Sequence, residues 1–410
     1  MGSRGCVEKD SSDVSRKPDS ALTLISDPST LPHIALLVIF SGSLYVAMNI
    51  DIFGSERQGS AMFVSLSLSY FLAALIRPTR PGRLLLTVET DVEGVLNRGY
   101  LVKGTTKTLP VIALASMIWY GLNAILTNEN LNDLKIILAI MFIAMSLFQG
   151  LTLNLGWIEY GNKLRGRPSG SKSGAFSSVI RIVISLLVFA PLVWWFGYGA
   201  VNPVNADFST NLAWFVFFLT IVLLGVLMER YTKSSREEPG VDGLARDRVF
   251  FLIFMTSCWH ILSSWRRVPF TVDQSSFGLL LEEGILMSIT VILAVWSLTK
   301  KGHKRGWKIF QGQSAVYWGV GFGLAYCGSV SSLTVLSEGS LMTTTAIGHA
   351  ISATVMLAMC PMALSRVGIS EELEEQLENT EPSLKPEIVP HHQADVVQES
   401  DDDDIVEIVN

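Results

Sequence analysis

Residues 136–157 read IILAIMFIAMSLFQGLTLNLGW. No ionisable side chain interrupts the stretch, and as a helix rising ~1.5 Å per residue it would be about 33 Å long, enough for the ~30 Å hydrocarbon core of a bilayer. The run as a whole spans 135–157, with Lys135 at its edge; similar apolar runs fall at 32–53, 59–76, 109–127, 176–198, 210–228, 249–265, 276–298, 313–336 and 340–363, and none of the 31 Lys and Arg residues sits at the centre of one. The chain reads as an all-α protein: a polytopic transmembrane helical bundle of about ten spans.

Composition agrees. Charged residues make up 17% of the chain, where a soluble domain has about a quarter, and the mean hydropathy is +0.40. Tryptophan and tyrosine gather toward the run ends, among them Trp119, Tyr120, Trp157, Tyr160, Trp194 and Trp296. An aromatic belt at the membrane interfaces has this distribution.

The connections between runs alternate in charge. Those after the second, fourth, sixth and eighth runs carry 21 basic residues, among them Arg77, Arg83, Lys163, Arg236, Arg246 and Lys304, while the other connections hold only Arg57, Lys135, Arg266 and Arg267. The positive-inside rule then places both termini in the cytoplasm.

Three regions are expected: a cytoplasmic N-terminal segment, 1–31, read as disordered; a membrane domain, 32–366; and an acidic, mostly disordered cytoplasmic tail, 367–410. Residues 371–410 carry a net charge of −13 against −6 for the whole chain, so the remainder is basic. Pro, Glu, Ser and Asp prevail there without apolar periodicity, as in disordered segments. The final DDDDIVEIVN suits either a solvated tail or a strand added to a cytoplasmic protein partner.

Cys258, Cys327 and Cys360 lie inside apolar runs and Cys6 precedes them, so no external disulfide is expected. Residues 1–30 lack the apolar core of a cleavable signal peptide. Neither a Walker loop nor a His-Glu-x-x-His motif occurs, there is no lysine mid-span for a retinal Schiff base, and nothing points to nucleic acid.

Ionisable groups at membrane depth are costly and tend to mark function. Taking the spans as oriented above, His260 lies about 10 Å below the outer end of its helix at ~1.5 Å per residue. Glu282, Glu283 and His349, from two other spans, fall at the same level. Arg266 and Arg267 sit just above, at the outer mouth. These six residues form the candidate substrate- or ion-binding set.

The principal reading is a secondary transporter or permease of a small solute or ion, working through this polar layer, with lipid as its surroundings and no cofactor. By count of spans alone, the topology is similar to that of the drug/metabolite transporter superfamily. One alternative is an electron-transfer protein holding haem or a divalent metal through His260 and His349. Another is a non-catalytic scaffold or assembly subunit. A third is an intramembrane hydrolase, with Ser329, Ser331 or Ser332 activated by His349. Gly319, Gly321, Gly323 and Gly328 give the ninth run a small-residue face suited to close helix packing.

Overall fold

A computed structural model describes residues 21–50, 56–88, 98–125, 131–165, 174–201, 208–268, 276–305, 308–310, 312–336 and 340–368. The described residues are 91% helical, without strands. The N-terminal segment up to residue 20 and the tail from 369 lie outside them, and so do the expectations attached to those segments.

Where the apolar runs are described they are helical, the last of them divided between two helices. In chain order the long helices are α2 (Leu31–Asn49), α3 (Glu56–Ile76), α6 (Leu109–Ile125), α7 (Leu131–Arg165), α8 (Gly174–Val201), α9 (Phe208–Tyr231), α11 (Val241–Arg266), α12 (Ser276–Arg305), α13 (Gln313–Leu336) and α14 (Ser340–Ala358). Shorter ones are α1 (Ala21–Ser26), α4 (Arg80–Leu86), α5 (Arg98–Thr106), α10 (Lys233–Arg236) and α15 (Cys360–Arg366). Among the described residues six helical segments are long and apolar enough to cross a membrane, or seven if α14 and α15 count as one bent span.

The exposed faces are apolar. Met117 and Tyr120 on α6, Leu186, Leu187 and Trp194 on α8, and Val226 and Leu227 on α9 are all more than half exposed. Surface of this kind is poorly suited to water and well suited to lipid. Serines go inward instead: Ser60, Ser65, Ser67 and Ser69 of α3 are buried. Ser67 Oγ donates to Gly321 O of α13 across 3.0 Å, while Ser65 and Ser69 donate to carbonyls of their own helix.

Three buried apolar clusters hold the bundle together. The largest joins α2, α3 and α13 to α6, α7 and α12; a second joins α7, α11, α12 and α15; a third joins α8, α9, α11 and α14. Because Gly328 has no side chain, α13 can approach α3 closely: a Cβ there would lie 2.5 Å from Phe63 Cβ. Small residues thus serve packing along this face.

The helices outrun the apolar runs where charge begins. α11 starts eight residues before Val249, and its first turns are fastened by Arg181 and Arg236, which pair with Asp247 at 2.6 and 2.9 Å. Arg236 also lies over the Phe250 ring at 4.1 Å. Lys300 near the end of α12 pairs with Glu159 near the end of α7 at 3.5 Å. α14 and α15 meet at a 47° bend just before Pro361, which has no N–H to continue the helical ladder. There Asn154 Nδ2 donates to Met356 O over 3.1 Å. Pro191, by contrast, sits inside α8 without ending it.

Candidate functional site

Four helices converge on one buried polar layer. On α11 and just past its end, Trp259, Ser263 and Arg267 follow each other at four-residue spacing and so share a face, with His260 and Ser264 beside them. Arg267 caps the helix, and its Nη1 folds back to donate to Ser263 O at 2.8 Å, a favourable place for a cation at a helix C-terminus. Ser264 Oγ donates to Ala346 O of α14 at 2.6 Å.

Glu282 and Glu283 are neighbours on α12, so their side chains leave the helix about 100° apart and meet different partners. Glu282 turns to α11. Its Oε1 accepts from Trp259 Nε1 at 2.8 Å and from the Ser263 hydroxyl, and it pairs with Arg266; its Oε2 lies 3.4 Å from Arg267 Nη1. Glu283 turns to α13 and α14. Its Oε1 lies 2.7 Å from His349 Nε2 and 2.6 Å from Arg267 Nη2, and its Oε2 accepts from the Tyr326 hydroxyl at 2.7 Å.

The chain of contacts continues beyond His349. His349 Nδ1 lies 3.0 Å from His260 Nδ1. With a carboxylate on its Nε2, His349 carries the hydrogen there, so its Nδ1 accepts and His260 Nδ1 donates. His260 Nε2 is then a bare lone pair. It is fully buried and has no hydrogen-bond partner among the described residues.

All six residues expected from the sequence thus belong to one network, with different exposures. His260, Glu282, Glu283, His349 and Arg267 are buried, whereas the Arg266 side chain is 37% exposed at the edge. Arg267 is therefore an internal bridge between two carboxylates rather than a charge at a mouth. Tyr326, Trp259 and Ser263 were not anticipated. The four-residue spacing from Trp259 through Ser263 to Arg267 was the available signal for two of them; Tyr326 offered none beyond a tyrosine in mid-span.

Two guanidiniums face two carboxylates, so the layer is neutral overall when both imidazoles are neutral. Its ordered contacts allow one chemical operation without rearranging the backbone. A proton taken up at His260 Nε2 releases the Nδ1 proton to His349 Nδ1, which in turn releases its Nε2 proton to Glu283. Each nitrogen ends with one fewer or one more hydrogen in balance, and the net result is one proton moved from His260 Nε2 to the Glu283 carboxylate.

The same distances count against two of the alternatives. Axial imidazoles on a haem iron would hold their ligating nitrogens about 4 Å apart, at ~2 Å per metal–nitrogen bond, with a macrocycle between them. Here the facing nitrogens are at direct hydrogen-bond distance, 3.0 Å, and His349 Nε2 is occupied by Glu283. Among the described residues no three or more His, Cys, Asp or Glu side chains converge as metal ligands. For the hydrolase reading, His349 faces Glu283 and His260, with no hydrogen bond to a serine shown, and Ser329 Oγ donates to Ala325 O at 2.6 Å, while Ser332 Oγ has no hydrogen-bond partner among the described residues. No protein-family model, curated protein or solved structure matches the chain.

Proposed function

We propose that the chain is a ten-span membrane protein with both termini cytoplasmic, and that it moves a small solute or ion by coupling it to proton transfer through the buried layer. The observation that carries this reading is the continuous line from His260 through His349 to Glu283, ending at one side in a buried nitrogen without a partner among the described residues. Buried polar atoms are nearly always satisfied, and one left open at the end of a relay is a natural point of proton exchange. Ionisable residues within spans tend to mark such pathways. Under the charge-derived orientation the layer lies in the outer half of the membrane, with Arg266 toward the outside.

The balance of two arginines against two glutamates supports a second reading, a scaffold whose layer only braces α11, α12, α13 and α14. Proteoliposomes loaded with a trapped pH-sensitive dye separate the two. Under an imposed potential, pools of amino acids, sugars, nucleosides and metal cations are added outside. The transporter reading expects proton influx with at least one pool, lost in Glu283→Gln and in His349→Ala while the folded protein is retained. No flux with any pool favours the scaffold, and flux that survives Glu283→Gln refutes the relay through Glu283.

A further inference from the structure

A crevice lies between α7, α12 and α13, adjoining the charged layer on the side of the α12 C-terminus. Tyr326 belongs to both, since its ring lines the crevice and its hydroxyl donates to Glu283. From Tyr326 the crevice extends along α12 to Ala294, about 16 Å beyond Glu283 at ~1.5 Å per residue. Its walls are mainly apolar but carry Gln149, Thr152 and Thr290, with Phe148 at the half-exposed rim. Gln149 Nε2 donates to Thr290 Oγ1 at 3.1 Å, which leaves its second amide hydrogen unassigned.

The free volume is about 30 Å³. One water needs ~10–15 Å³ by this measure, together with two to four polar partners, so the space suits about two waters. Tyr326 Oη, Thr152, Thr290 and Gln149 supply those partners.

We propose that this crevice holds a short group of waters that exchanges protons with Glu283, with Tyr326 as the link; the proposal rests on the relay reading above. An excess proton carried by a crevice water passes to Tyr326 Oη as the tyrosine passes its own proton to Glu283 Oε2. The tyrosine ends neutral, the carrier ends as neutral water, and one proton has moved; release from Glu283 runs through the same bonds in reverse.

The test is thiol reactivity toward silver ion, a water-sized reagent, in nanodiscs that expose both faces and keep lipid around the helices. All native cysteines are first replaced by serine or alanine. Thr290→Cys and Ala294→Cys should react at least about tenfold faster than Leu187→Cys on the lipid-facing side of α8, because a thiolate forms and reacts only where water reaches it. Thr152→Cys, on the facing helix, gives the same reading should either of the first two misfold. Reaction no faster than at Leu187→Cys in the folded variants overturns the crevice. Proton flux is measured separately. Tyr326→Phe should keep the silver reactivity of Thr290→Cys and slow the flux at least about tenfold; unchanged flux removes Tyr326 from the path. Reactive thiols in a protein without flux would retain the water and refute the relay, so the two failures are distinguishable.

Discussion

Arg267→Met tests whether the layer is held by charge. In the native arrangement the Arg267 guanidinium, 4% exposed, lies 2.6 Å from Glu283 Oε1 and 3.4 Å from Glu282 Oε2. Were these ordinary interhelical hydrogen bonds in a membrane, losing two of them would cost about 1 kcal/mol, at ~0.6 kcal/mol each. Removing one partner of a buried ion pair leaves the other charge uncompensated, and costs about 3–5 kcal/mol. At roughly 2 °C per kcal/mol for a domain of this size, the first case lowers the melting midpoint by about 2 °C and the second by about 6–10 °C. Glu283→Gln keeps the shape and gives up the charge, so Arg267→Met should cost at least about 2 kcal/mol less in a Glu283→Gln background. Tryptophan fluorescence during thermal unfolding in detergent reads all four proteins. Additive effects of the two substitutions would refute the charge pairing and, with it, the ordered protonation of the layer.

Further outcomes follow from other parts of the bundle. Ser209→Cys and Ser234→Cys stand at or just beyond opposite ends of α9; a membrane-impermeant maleimide applied to intact cells should mark only Ser209→Cys, and the reverse result would invert the proposed orientation. Gly328→Ala should destabilise by about 1–3 kcal/mol, because its Cβ would press on Phe63, whereas Gly42→Ala, with nothing within 4 Å, should be tolerated; thermal midpoints compare them. Truncation after residue 380 should leave the midpoint unchanged, since the apolar clusters lie within the described helices; a clear drop would show that the tail contributes to the fold.

Helix positions were legible because long apolar stretches read as helices, and a run such as 135–157 has the length and composition of a membrane-crossing one. Helix ends were not: α11 begins at Val241, where charged side chains on Arg246, Asp247 and Arg248 hide the helix from a hydropathy reading. Their place is set by Arg181 and Arg236, which come from other elements. The depth agreement of His260, Glu282, Glu283 and His349 was visible from residue counting, because rise per residue is constant. Which way each side chain points was not, since that depends on the rotation of each helix about its axis. Arg267 therefore read as a surface charge, although it turns back into the layer, and Tyr326 went unnoticed on a helix whose glycines drew attention to packing.

The pairing of Glu282 and Glu283 with Arg266 and Arg267 has a consequence for how the protein is made. The two arginines and the two glutamates lie on consecutive helices, α11 and α12, joined by a short connection. On the membrane reading, α12 leaves the ribosome before α13 and α14 can fold against it. Inserting a lone carboxylate costs about 2.5–3.5 kcal/mol at a helix centre and less toward its ends, so two of them in the first third of α12 are still a load on its insertion. With arginines already at the end of the preceding helix, the hairpin can neutralise itself as it leaves the translocation machinery and wait in the lipid as an uncharged unit. α13 and α14 then arrive to exchange provisional contacts for the final ones. A chain arrested far enough beyond α12 for it to leave the ribosome should therefore already carry an inserted hairpin, while one bearing Arg266→Ala and Arg267→Ala should leave α12 outside the membrane, read by protease access to a site placed just after it.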